Sequence, residues 1–80
     1  MKIVYLIQSI RFPQQRYRGV TEDVDRRLRE HNAGSVVSTA RFAPWRLVVA
    51  IRFEADARAI QLEKYLKSGS GHAFAERHFW

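Results

Sequence analysis

The sequence contains no cysteine. That absence excludes a disulfide-stapled scaffold, a zinc knuckle and a thiol nucleophile. Any metal must be held by oxygen or histidine ligands, which directs attention to hard ions such as Mg²⁺ or Mn²⁺. A run of about 18 apolar residues, the least that marks a membrane helix, is also missing. The apolar start MKIVYLIQSI lacks a long hydrophobic region and a small-residue cleavage site, so it reads as a strand and the protein as cytoplasmic. There are no internal repeats and no low-complexity tract. Acids are scarce: 8 Asp and Glu stand against 14 Lys and Arg, a formal net charge of +6. Such a surplus draws a chain to polyanions, DNA, RNA or an acidic membrane surface, and equally describes a basic surface that is merely solvated.

What is present suits one small domain over residues 1–80, with a single modest core. Apolar residues make up 46% and aromatics 12%, unlike a disordered tail. Lys2 to Ser9 reads as a strand apolar on both faces and therefore covered on both sides. Arg11 to Gln15 is a turn broken by Pro13, and Arg16 to Val20 is a second short strand antiparallel to the first. Thr21 is placed to cap a helix that runs to about Asn32 and stops at Gly34. Ala33 to Arg46 reads as a polar loop. Leu47 to Phe53 is the most apolar run and predicts the central strand of the sheet. Ala55 to Lys67 predicts a second helix, Ser68 to Gly71 a turn, and His72 to Trp80 a last short helix. The order β-β-α-β-α-α gives an α+β class: a small three-stranded, mostly antiparallel sheet flanked by helices.

Certain residues sit where a core should be. On the first helix Val24, Leu28 and His31 share a face, and Arg27 lies within about 60° of Val24. Arg26 and Arg29 point elsewhere. On the second helix Glu63 falls among Ala55, Ala59, Leu62 and Leu66. Charged groups are rarely buried without a partner, so an inward Arg, His and Glu form a pattern. Gly19, near the end of the second strand, marks either a turn or a close approach of a backbone or ligand. Arg41, Phe42, Trp45 and Arg46 mix base and aromatic in a way that suits phosphate and sugar contacts, although Trp45 alone reads more readily as a core seal.

Tyr5 within Ile3-Val4-Tyr5, Tyr17-Arg18-Gly19, Arg27 and His31 eight and twelve residues after that glycine, and Glu63 on a later helix together resemble the GIY-YIG nuclease superfamily. The resemblance covers nearly the whole chain and is closest to small stand-alone bacterial members, including the Pro44-Trp45 pair and the Leu66-to-Gly71 LKSGSG stretch. Ile3 stands in place of the leading glycine and Arg18 in place of the usual aliphatic. Val20 stands where some members carry a lysine.

The resemblance implies the GIY-YIG fold and a divalent-metal-dependent endonuclease acting on DNA, in repair or on branched forms. It implies one Mg²⁺ or Mn²⁺ ion on Glu63, the scissile phosphate on Arg27, and an attacking water flanked by Tyr5 and Tyr17, with Tyr5 favoured as the base and His31 taking its proton. Arg18, Gly19, Arg41 and Arg46 are the expected nucleic-acid contacts, and Asn32 is left outside the site. Each residue also has a plainer reading: core tyrosines, a satisfied core histidine, an internal Arg27–Glu63 salt bridge. A non-catalytic nucleic-acid-binding module keeping the fold is the alternative. An interaction domain that docks a protein partner or a second copy through Phe74, Phe79 and Trp80 is another.

Overall fold

A computed structural model describes all of residues 1–80. Strand β1, Lys2–Ser9, pairs antiparallel with β2, Arg16–Thr21, on one side and with β3, Trp45–Phe53, on the other, giving the order β2-β1-β3. Tyr5 lies opposite Gly19 on β2 and Ala50 on β3. Side chains alternate along β1, so its two faces enter two cores. Val4 and Leu6 pack with Ala59, Leu66 and Ala75. Tyr5 and Ile7 pack with Trp45, against Tyr17, Val24 and Leu28. Helix α1, Val24–Asn32, covers the second of these faces. Helices α2, Asp56–Leu66, and α3, Gly69–His78, cover the first.

The expectation that Leu47 to Phe53 is central is corrected: β3 is an edge strand, and Leu47 and Ala50 on it are exposed. An apolar run measures how far a strand's faces are covered, not how many strands flank it. KIVYLIQS is apolar on both faces as well, and the hairpin to β2 leaves β3 only the other side of β1.

Caps explain two further differences. Thr21 stays in the ladder opposite Ile3, so Asp23 becomes the N-cap and its carboxylate accepts the Arg26 amide at 3.0 Å. The Thr21 hydroxyl accepts the Asp23 amide instead, at 3.2 Å. Helix α3 starts three residues earlier than expected, because the Ser68 hydroxyl accepts the Gly71 amide and turns Ser68-Gly69-Ser70-Gly71 into a cap and first turn. Gly71 belongs there for a second reason: a Cβ on it would lie 1.7 Å from the Tyr65 carbonyl oxygen. The end of α1 agrees with expectation. Gly34 takes φ 79°, and the amides of Gly34 and Ser35 return to the carbonyls of His31 and Glu30, a Schellman motif.

The stretch Ala33 to Arg46 is less of a loop than its polarity suggests. A 3₁₀ turn spans Ala40–Phe42, and Trp45 and Arg46 already belong to β3. Trp45 is buried and donates from Nε1 to the Thr39 carbonyl at 2.9 Å, so it seals a core. Phe79 and Trp80 are also half-buried, against the Val4 cluster; of the three terminal aromatics only Phe74 is exposed.

Candidate active site

The α1 face of the sheet carries a chain of buried polar groups. Tyr5 is 2% exposed, and its hydroxyl lies 2.8 Å from His31 Nε2. His31 is fully buried, and its Nδ1 lies 2.7 Å from Thr39 Oγ1. Thr39, also buried, donates its one hydroxyl proton to the Val36 carbonyl at 3.3 Å. With that proton committed, Thr39 Oγ1 accepts from His31, which assigns the imidazole proton to Nδ1. Nε2 is then a lone pair, and Tyr5 donates to it. Thr39 is held from a second side by the Trp45 indole on its carbonyl.

Gly19 makes room for this arrangement. A Cβ there would fall 2.6 Å from the Tyr5 hydroxyl and 2.7 Å from Cζ. The close approach is therefore to the phenol of Tyr5. Tyr17 completes the cluster, its ring 5.1 Å from that of His31 and 6.3 Å from that of Tyr5. Arg27 is half-buried, donates from Nη1 to Glu30 at 3.0 Å, and acts on both titratable partners of the chain.

Burial raises the Tyr5 pKa above its usual 10.0, and hydrogen bonding toward Arg27 opposes that rise. Burial lowers the His31 pKa below 6.5, and the Arg27 charge lowers it further. At neutral pH the site thus holds a protonated phenol beside a neutral imidazole whose free lone pair faces it. The arrangement can pass a proton from Tyr5 to His31.

Glu63 stands apart from this group. It is on α2, on the Val4–Leu6 side of the sheet, with its side chain 16% exposed and paired to Lys67 at 2.5 Å. Its charge reaches Arg18, which points to the same side of β2. The plainer reading of an Arg27–Glu63 salt bridge fails, since Arg27 pairs with Glu30. Tyr5, Tyr17, Arg27 and His31 are brought together; Glu63 lies across the sheet, with β2, a free edge strand, as the border.

Glu63 offers a lone carboxylate rather than a ligand cluster. Nowhere do three carboxylate or imidazole groups converge. A single carboxylate suits an ion that keeps most of its waters.

Of the expected nucleic-acid contacts, Arg41 is exposed with its guanidinium 5.4 Å from the Phe42 ring centre, and Arg46 is exposed and donates to Gln8 at 2.6 Å. Asn32 is not the helix C-cap, which is Ala33; its amide clamps the Trp45 backbone, accepting from N at 2.5 Å and donating to O at 3.2 Å. Thr39 is the residue that sequence reasoning missed. It sits eight positions after His31 in a polar stretch, and no periodicity distinguishes it from Ser35 or Ser38.

Comparison with known proteins gives the family. Residues 1–75 match the GIY-YIG catalytic domain family. Two curated relatives are each named structure-specific endonuclease subunit SLX1. The chain is 37% identical to that of Candida dubliniensis and 40% identical to that of Scheffersomyces stipitis, in both cases over 94% of its length. It spans only about a quarter of those proteins, 27% and 23% respectively. With the tyrosines, Arg27, His31 and Glu63 on the expected elements and the family match running nearly end to end, the chain belongs to the GIY-YIG catalytic domain family.

Proposed function

We propose that this chain hydrolyses phosphodiester bonds in DNA, with a divalent ion, Mg²⁺ or Mn²⁺, on Glu63. The observation that carries the reading is the Tyr5–His31–Thr39 hydrogen-bond chain beside Arg27. Branched DNA is the favoured substrate, because both curated relatives are named structure-specific endonucleases. Their designation as subunits supports a protein partner for activity.

In this mechanism Tyr5 Oη takes a proton from the attacking water as its own proton passes to His31 Nε2. A phenol with a raised pKa is a poor base alone, so the imidazole is what lets it act. The Thr39 hydroxyl holds the imidazole in the one tautomer that can accept. Arg27 leaves Glu30 for the scissile phosphate, where its planar fork meets two oxygens. Tyr17 borders the space above His31 and orients the water. Glu63, now paired with Lys67, would hold the ion, which would supply charge neutralisation for the phosphoryl transfer. Arg41 and Arg46, both exposed, contact flanking backbone phosphates.

The test is nicking of supercoiled plasmid and of a labelled four-way junction in Mg²⁺ and in Mn²⁺. Cleavage by the parent and none by Glu63→Ala is the expected result. Equal nicking by both would remove Glu63 as the ligand.

A second reading, a DNA-binding module without catalysis, is favoured by the Glu63–Lys67 pair and the separation of Glu63 from the tyrosines. Salt-dependent junction binding with no cleavage in either metal would establish it.

A further inference from the structure

The chemistry on the α1 face leaves one charged feature unexplained. On the other face of β2, Arg16 and Arg18 stand two residues apart and point the same way. Both Nε atoms are buried with no hydrogen-bond partner. Arg16 has a carboxylate, that of Glu76 on α3. Arg18 has none within ion-pairing distance. A half-buried guanidinium with no carboxylate in ion-pairing range, beside a second one, is costly twice over, through lost hydration and through like charge. The Arg18 pKa is lowered by those two causes, burial first and Arg16 second.

The two arginines line a cleft of about 280 Å³, with Gln15, His72, Glu76 and Trp80 around it. The Trp80 ring lies 4.8 Å from the Arg16 guanidinium and 5.9 Å from that of Arg18. Stacking of this kind holds a guanidinium flat while leaving its N–H edge free. Gln15 and His72 add further polar groups to the lining. The volume is small for a drug-sized ligand and ample for a phosphate group.

We propose that this cleft is a phosphate-binding site which, in a chain that acts on DNA, holds a backbone phosphate on the sheet face opposite Tyr5. The proposal rests on the DNA reading above and adds to it a second anchoring point. A strand crossing the free edge of β2 meets Arg27 on one side and Arg18 on the other. Glu76 is the opposing element, since its carboxylate both occupies Arg16 and repels an anion.

Binding in EDTA separates this site from cleavage. Anisotropy of a fluorescein-labelled four-way junction is measured over a salt series for the parent, Arg18→Gln and Glu76→Gln. Arg18→Gln is expected to weaken binding about tenfold, the share of one charge-assisted contact. It should also lower the slope of log K against log[salt] by about one. Glu76→Gln is expected to tighten binding several-fold, an outcome that misfolding cannot imitate. Inorganic phosphate alone is then titrated against the parent while the Trp80 indole N–H resonance is followed.

A phosphate-induced shift of that resonance, with junction affinity unmoved by either variant, would mean that the cleft takes free phosphate and not DNA, and would overturn the proposal. No shift and unchanged affinities would overturn it outright. Nicking that is lost in Glu63→Ala while the cleft stays silent leaves the nuclease reading standing. An Arg18-dependent affinity in a protein that never cuts leaves only the cleft.

Discussion

The two faces of one strand do different work. Val4 and Leu6 enter an aliphatic core with Ala59, Leu66 and Ala75, where contact is nondirectional and every group is satisfied by burial alone. Tyr5, one residue away, enters a core whose members are tied by hydrogen bonds: Tyr5 to His31, His31 to Thr39, Thr39 to Trp45. On the first face a lost contact costs its own packing; on the second each lost partner also strands another buried polar group. Aliphatic packing is therefore concentrated under α2 and α3, and the hydrogen-bonded Tyr5–His31–Thr39 chain under α1. The alternation of a single β-strand is enough to keep them apart.

The largest effect expected is on the polar face. Tyr5→Phe should reduce junction cleavage by about 10²–10⁴-fold, the range of a lost proton-transfer group. It should cost only about 1–2 kcal/mol of stability for the unpaired His31 Nε2. Single-turnover assays beside urea denaturation would separate the two numbers. A variant that cuts at the parental rate would move the base to Tyr17.

The aliphatic face should show the inverse. Gly71→Ala sets a Cβ against the Tyr65 carbonyl, and neither backbone can yield without parting α2 from α3. A loss of about 3 kcal/mol is expected, a large share of what a domain this size has. Thermal melting would read it. The Tyr5–His31–Thr39 hydrogen-bond chain should persist in any folded fraction, since the α1 face is untouched.

Thr39→Val sharpens the comparison further. The shape is kept, but the His31 Nδ1–H loses its acceptor, at about 1–2 kcal/mol. Imidazolium is then less favoured, so cleavage should fall about tenfold and the acid limb of the pH–rate profile should move to lower pH. A rate loss with an unmoved profile would reduce Thr39 to packing.

The smallest effect is the pH dependence of folding. His31 has its folded pKa depressed below 6.5 by burial and Arg27. Above 6.5 both states are neutral and His31 imposes no pH dependence. As pH falls from 6.5 toward the folded pKa, the unfolded chain binds the proton first, so stability declines. His31→Gln should flatten that part of the curve in denaturation experiments at stepped pH.

Much of this was legible in the chain itself. Helical spacing placed Val24, Leu28 and His31 on one face, and Gly34 after Asn32 marked the end of α1. The two-faced apolarity of β1 foretold its burial on both sides. These are local properties, set by period and by single-residue backbone preference. The Tyr5, Tyr17, Arg27 and His31 grouping was legible through family resemblance, because ordered spacing survives when individual tripeptides are weak signals.

Other matters were decided only by tertiary structure. Which strand is central depended on the pairing partners of β1, and hydrophobicity does not encode partners. Gly19 and Gly71 could be recognised as glycines from the sequence, but their necessity comes from the Tyr5 ring and the Tyr65 carbonyl that approach them in space. Thr39 and the tautomer of His31 depend on three atoms from distant parts of the chain meeting within hydrogen-bonding distance. Residue type and spacing thus determined which side chains are available and which way each element turns them. Proximity between elements decided which of them share a proton, and that is a property of the folded chain alone.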